Sequence, residues 1–208
     1  MDPEGNNPIY SVEGKFLGTD DWGLQGGYII MDESHYSPNM QHADALSKSY
    51  LDPLKKDVQE SINSHFATLS SRPDWDGYLT LEEANDWYRN GNGQPLYVSL
   101  DRINLAGVFS LGEHYVGTTE MCNLLLLGSF SPNDALVYGT ITLKRYPYHT
   151  VKAFSDRYDF DMKTWWNPMN WGRNIETLIG KKIAGNGKGY EIIIYGSKEL
   201  KPILPWLK

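Results

Sequence analysis

Leu136-Val137-Tyr138-Gly139-Thr140-Ile141-Thr142-Leu143-Lys144 decides the fold class. Val137, Gly139, Ile141 and Leu143 alternate with Tyr138, Thr140, Thr142 and Lys144, so an extended backbone sends the first set to one side and the second to the other. This pattern predicts a half-buried strand starting at Leu136. Pro147 lies in the turn that reverses the chain into Val151-Lys152-Ala153-Phe154, which makes an antiparallel pair. Further on, Tyr190-Glu191-Ile192-Ile193-Ile194-Tyr195 is apolar enough for the inside of a sheet. On the N-terminal side, Met121 to Leu127 reads as buried helix.

The earlier part of the chain adds another hairpin and the helices. Ile9 to Asp21 carries apolar residues on both arms of a Glu13-Gly14 turn and runs through Gly23-Leu24-Gln25-Gly26 into a strand at Tyr28-Ile29-Ile30-Met31. Asp52 and Pro53 form an N-cap and first-turn pair, and Leu54, Val58, Ile62, Phe66 and Leu69 repeat down one face of a core helix. His65 lies beside that face, where packing or a surface hydrogen bond is its ordinary use. His35 and His42 have no partners at metal-ligand spacing and receive no role. The predicted architecture is α+β, with a curved, mostly antiparallel sheet and several packed helices. Residues 1–8 read as a linker from a preceding domain and 9–208 as one domain. Its N-terminal hairpin and helical part covers 9–92; its sheet-containing part covers 93–208.

Arg72-Pro73-Asp74-Trp75-Asp76-Gly77-Tyr78-Leu79-Thr80-Leu81-Glu82-Glu83 has two readings. Set against an EF-hand loop by its turn glycine, Asp74, Asp76 and Glu83 fall at calcium-ligand positions, but Arg72 takes the first one. A cation there opposes calcium, so bound calcium is not expected. Thr80 and Glu83 also form a capping box for a helix through Trp87 and Tyr88, which ends at Asn90-Gly91-Asn92-Gly93 before a strand at Leu96-Tyr97-Val98.

Composition narrows the function. The 208 residues carry a net charge of -7, which disfavours nucleic-acid binding because affinity for phosphate backbones comes largely from clustered Lys and Arg. Cys122 is the one cysteine, so neither an intrachain disulfide nor a thiolate-rich zinc site can form. No apolar run approaches the roughly 20 residues that cross a bilayer, and no transmembrane segment is expected. Gly-x-Ser-x-Gly, P-loop and dinucleotide fingerprints do not occur. Glu113-His114 is an acid–base pair in residue type, but neighbours on an extended backbone point apart.

Chemistry concentrates after the second hairpin. Asp156-Arg157-Tyr158-Asp159-Phe160-Asp161 is followed by Trp165, Trp166 and Trp171, then by Arg173-Asn174 at the start of a helix marked by Ile175, Leu178, Ile179 and Ile183. The cluster is expected where a strand ends, the position from which rigid scaffolds present reactive groups. The carboxylates of Asp156, Asp159 and Asp161 suit water activation or Mg²⁺. Arg173 at a helix N-terminus suits a developing phosphate charge, and the tryptophans with Asn174 suit an amphipathic substrate. A structural use of the same residues is equally coherent. In it Asp156 caps a turn, Tyr158 and Phe160 fill the core, Arg173 pairs with Asp159, and the tryptophans plug the sheet.

Two resemblances bear on this choice. Asp2-Pro3-x-Gly5, with the Gly18-Thr19-Asp20-Asp21 turn and the Gly23-Leu24-Gln25-Gly26 loop, resembles the shell-closing segment of Rhs (YD-repeat) proteins and the start of the toxins that follow it. It implies an antibacterial effector associated with type VI secretion, delivered into a competing cell, with a cognate immunity protein. Asp156-x-Tyr158-Asp159 with a downstream arginine resembles the signature of colicin M-type bacteriocins. That family cleaves the lipid-linked precursor lipid II between the undecaprenyl chain and the pyrophosphate, using Mg²⁺. The resemblance implies catalytic roles for Asp156, Tyr158, Asp159, Asp161 and Arg173, with Mg²⁺ on Asp156 and Asp159 and action in the target periplasm. The family's histidine precedes its arginine, whereas Gly172 precedes Arg173 here. Either His149, in the preceding hairpin, substitutes through space or that chemistry does not hold. The alternatives are a nuclease toxin and a non-enzymatic binding or membrane-acting module.

Overall fold

In chain order the elements are β1 (Pro8–Ser11), β2 (Phe16–Thr19), β3 (Ile29–Met31), α1 (His42–Ser47), α2 (Lys56–Leu69), α3 (Leu81–Asn90), β4 (Leu96–Ser99), β5 (Thr119–Asn123), α4 (Pro132–Tyr138), β6 (Thr140–Arg145), β7 (Thr150–Ala153), β8 (Asp156–Tyr158), β9 (Tyr190–Tyr195) and β10 (Lys198–Glu199). This computed structural model describes residues 7–109, 113–124, 131–159 and 185–201. The class is α+β with mostly antiparallel pairing, as expected, distributed among the described residues over three small sheets.

The strands order as β2-β1-β3, as β10-β7-β6-β5 and as β4-β9-β8. The N-terminal hairpin forms as predicted: β1 and β2 pair antiparallel, the Gly14 amide bonds the Ser11 carbonyl at 3.0 Å, and β3 joins β1 in parallel. In the third sheet β4 runs parallel to β9, with Leu96 opposite Ile192 and Val98 opposite Ile194. The expected interior strand is thus β9, in the middle of its sheet.

Three predicted elements move. The strand expected from Leu136 begins at Thr140, because Ser131 caps a helix through the Asp134 amide and Pro132 opens its first turn. That helix consumes 136–138 and stops at Gly139, whose φ of +56° few other residues adopt readily. Met121 to Asn123, read as helix, belongs to β5; its pairing with β6 puts Met121 opposite Thr142 on the outer face and Cys122 opposite Ile141 on the inner. Of the remainder, Leu124 is a buried turn residue after β5, and 125–127 lie outside the described residues. The long helix starts at Lys56 without a side-chain cap, so Asp52 and Pro53 precede it; Ile62 and Leu69 are its buried anchors.

The largest core cluster joins α3 and α4 to both C-terminal sheets through Leu79, Ala84, Ile141, Leu143, Val151 and Ile192, among others. Each fully buried aliphatic side chain contributes roughly 1.5–3 kcal/mol of transfer free energy. A separate cluster of Leu24, Leu69, Tyr97 and Tyr195 links the N-terminal hairpin region to β4 and β9. The capping box of α3 is complete, with Thr80 Oγ1 accepting from the Glu83 amide and Glu83 accepting from the Thr80 amide at 2.8 Å.

Candidate active site

Asp156 lies on a strand, which corrects the strand-end loop expected for it. β8 is the edge of its sheet, with Asp156 opposite Ile192, Arg157 opposite Glu191 and Tyr158 opposite Tyr190. Period-two alternation therefore turns Asp156 and Tyr158 to one side and Arg157 to the other. The Tyr158 ring stacks on Tyr190 with centroids 5.3 Å apart, and its hydroxyl donates to Asn85 Oδ1 on α3 at 2.8 Å. Burial pushes this phenol up to about 12. A buried phenol donating to an amide positions the strand and is a poor proton carrier near neutrality.

Asp156 shares that inward side, at the margin of the core, and is half-buried. Burial pushes its carboxyl up to about 6, with the neighbouring Asp159 charge adding to the rise. The Arg157 backbone N–H, 2.8 Å from Oδ1, opposes the shift. Desolvation exceeds what one hydrogen bond returns. Asp159 accepts from Arg157 Nε at 2.9 Å, so the guanidinium charge is directed at Asp159. Gly189 makes room for Asp159: a Cβ there would sit 3.0 Å from the Asp159 Cβ.

His149 occupies the β6–β7 turn with φ of +60°, and its carbonyl accepts from the Leu200 amide at 2.9 Å. It sits at one end of β7 and Asp156 follows the other. Asp161, Arg173, Trp165, Trp166, Trp171 and Asn174 lie outside the described residues, as do the helix expected after Arg173 and the Asp2-Pro3-x-Gly5 segment. Among the described residues no group of three or more His, Cys, Asp or Glu side chains could hold a metal ion. The Asp159 charge acts on Asp156, while the Asp159 carboxylate itself is engaged by Arg157.

The EF-hand-like segment serves the architecture. Arg72 clasps Asp74 with Nε–Oδ1 at 2.9 Å and Nη2–Oδ2 at 2.8 Å, and the Tyr97 amide donates to Oδ2 at 2.7 Å. Asp76 accepts from the Tyr78 amide, and Glu83 completes the helix cap. Gly77, at φ of +74°, leaves space for the Tyr195 hydroxyl.

Sequence reasoning missed a polar knot at the N-terminal hairpin. Asp20 is fully buried, with its carboxylate 2.7 Å from His42 Nδ1, and the His42 ring stacks on Trp22 at 4.1 Å. Burial raises the Asp20 pKa although its hydrogen bonds to His42 and the Trp22 amide lower it. The Asp20-Asp21 step after an apolar strand was the available signal, but His42 enters from another element and nothing local announces it.

No known protein-family profile matches the sequence, and no curated protein matches it either. Among solved structures, the chain is similar to pectocin M2 at 20% identity and a TM-score of 0.34, over 56% of this chain and 48% of that one. It is similar to PaeM, a colicin M-like bacteriocin produced by Pseudomonas aeruginosa, at 15% identity and a TM-score of 0.36, over 57% and 48%. A truncated syringacin M from Pseudomonas syringae pv. tomato DC3000 aligns at 19% identity and a TM-score of 0.34, over 68% and 72%. The match to the first two spans about half of their length.

Proposed function

We propose that this chain is an antibacterial toxin domain that hydrolyses the phosphodiester between the polyprenyl chain and the pyrophosphate of a lipid-linked cell-wall precursor. The observation that carries this reading is the placement of Asp156, first residue of the Asp-x-Tyr-Asp run, half-buried on β8 opposite Ile192, where burial raises its carboxyl to about 6. A carboxylate so raised is ionised at neutral pH yet more basic than an exposed one, the property wanted in a group that takes a proton from attacking water. Tyr158 anchors the strand beneath it, and Arg157 holds Asp159 in place.

Mg²⁺ is assigned to Asp156 and Asp159. Two carboxylates close enough to repel one another are relieved by a hard dication, and Mg²⁺ is commonly held by one or two carboxylates, with water and phosphate oxygens filling its remaining positions. Asp156 and Asp159 are the residues that would hold it, and it would supply charge neutralisation for the phosphate. Arg173 is assigned to the phosphate and Asp161 to the same carboxylate group. Trp165, Trp166, Trp171 and Asn174 are assigned to the substrate; His149, at the far end of β7 from Asp156, does not take the role of the family's histidine.

Delivery by an Rhs-type carrier, action in the periplasm of a competing cell and neutralisation by an immunity protein belong to the same reading. The test is compartmental. Expression with an export signal is expected to kill, and cytoplasmic expression to be far less harmful, because the substrate linkage is met outside the inner membrane. Equal killing from the cytoplasm abandons this substrate, and degraded DNA or RNA in those cells would assign a nuclease.

A further inference from the structure

The outward face of the β10-β7-β6-β5 sheet carries a charge pattern at odds with the rest of the chain. Lys144 on β6 and Lys152 on β7 stand directly opposite each other, on the face away from buried Leu143 and Val151. Like charges so placed repel, and the net charge of -7 means that carboxylates are plentiful. Among the described residues, neither lysine forms a salt bridge; Lys144 instead lies 5.7 Å from the Tyr146 ring centroid. Glu199, opposite Thr150 on the edge strand, is the carboxylate that strand pairing puts on this face.

The same end of the sheet presents apolar groups to water. Tyr146 and Tyr148 flank Pro147 in the β6–β7 turn, and Tyr148 is 84% exposed. Tyr148 and His149 are both in the left-handed backbone region, at φ of +59° and +60°, a conformation that costs a non-glycine residue energy. Here it accompanies an exposed Tyr148 side chain. Hydrogen bonds from the Gly117 amide to the Arg145 carbonyl and from the Arg145 amide to the Thr118 carbonyl, both 2.9 Å, bring exposed Tyr115 and Val116 beside this tip.

We propose that this face docks on an anionic lipid bilayer, with Tyr115, Val116, Tyr146 and Tyr148 entering the headgroup layer and Lys144 and Lys152 meeting lipid phosphates. Tyrosine is favoured at membrane–water boundaries, where its ring is covered and its hydroxyl stays wet, and lysine stems lie along apolar surface while their ammonium groups reach the phosphates. The proposal rests on the lipid-linked-substrate reading for its purpose: a chain that acts on a lipid-linked substrate gains from being held at the bilayer that contains it.

Co-sedimentation of the whole chain with vesicles of phosphatidylcholine containing 30% phosphatidylglycerol tests it, with pure phosphatidylcholine as reference. The protein should pellet with the anionic vesicles and be released by high salt. The K144E/K152E protein, with an unchanged melting temperature, should bind at least about thirtyfold more weakly, given what each basic residue contributes near an anionic surface. Tyr148→Ser should weaken binding by a smaller factor. Failure to bind anionic vesicles, or equal binding by K144E/K152E, overturns the proposal. Asp156→Asn should bind vesicles normally, and K144E/K152E should hydrolyse detergent-solubilised lipid substrate normally. Absence of hydrolysis by the unaltered chain in detergent, with vesicle binding intact, would defeat the catalytic reading alone.

Discussion

Asp74 and Asp156 both sit in acidic, tryptophan-neighboured stretches that look alike in sequence, and the fold uses them in opposite ways. Asp74 is almost completely buried and takes two hydrogen bonds from Arg72 and one from the Tyr97 amide. Arg72 is itself held by the Pro95 carbonyl and by the Trp87 and Tyr97 rings. Every charge in that group is matched, so the segment is a clamp between α3 and β4. Asp156 is less buried, yet its carboxyl is raised, because its own neighbour's N–H does not offset the loss of water and Asp159 repels it. Depth of burial does not set these two acids apart; completeness of pairing does.

Removing one partner from each acid tests this contrast. Asp74→Ala leaves the Arg72 charge buried, which costs about 3–5 kcal/mol. A large fall in melting temperature is expected, with activity per folded molecule retained. A fall in specific activity at constant folded fraction would move Asp74 into the site.

Asp156→Asn should do the reverse. Toxicity is expected to drop a hundredfold or more, since a lost transition-state interaction of a few kcal/mol has that effect. Stability at pH 7 should rise by at most about 3 kcal/mol, the linkage value of a carboxyl raised by about two units. The sign follows from proton binding: the folded state holds the Asp156 proton up to about pH 6, whereas the unfolded chain releases it near pH 4. This contribution is complete below about pH 4 and disappears as the pH passes 6. Urea titrations of both proteins without Mg²⁺ should show that decline in the unaltered chain and lose it in Asp156→Asn.

Tyr158→Phe leaves Asn85 without its partner, at about 1–3 kcal/mol, while the ring stack on Tyr190 survives. Reduced stability with nearly normal toxicity is expected, and a toxicity loss as deep as that of Asp156→Asn would give the phenol a direct role.

Arg157→Ala gives the smallest change. Its pair with Asp159 has an exposed guanidinium, so about 1 kcal/mol or less is at stake. Without that cation the Asp159 charge should act more strongly on Asp156, moving the pH-dependent decline in stability upward. A downward move would mean that Arg157 does not shield the pair.

Local patterns were legible wherever the deciding contacts lie close along the chain. The Glu13-Gly14 hairpin, the Thr80–Glu83 cap and the end of α3 at Asn90-Gly91 follow from side chains within a turn of the groups they serve. The readings that moved share a different cause. Val137 and Gly139 kept step with a strand until the Ser131 cap and Pro132 started a helix. Met121 has the apolar character of a buried residue but is 79% exposed on the outer face of β5. Asp52-Pro53 resembled a helix start, and α2 formed beyond it without a side-chain cap.

The sequence by itself determined the α+β class, the N-terminal hairpin, the cap of α3 and the collection of acids beginning at Asp156. Only the tertiary structure decided what each acid became. The Tyr97 amide that completes Asp74 lies 23 residues away, and the Asn85 side chain that fixes Tyr158 lies 73 away. Helix and turn signals arise from torsions and hydrogen bonds between near neighbours, so the order of residues expresses them directly. Desolvation and ion pairing depend on which distant strands arrive alongside, so Asp74 and Asp156 could be told apart only once β4, β8, β9 and α3 were packed together.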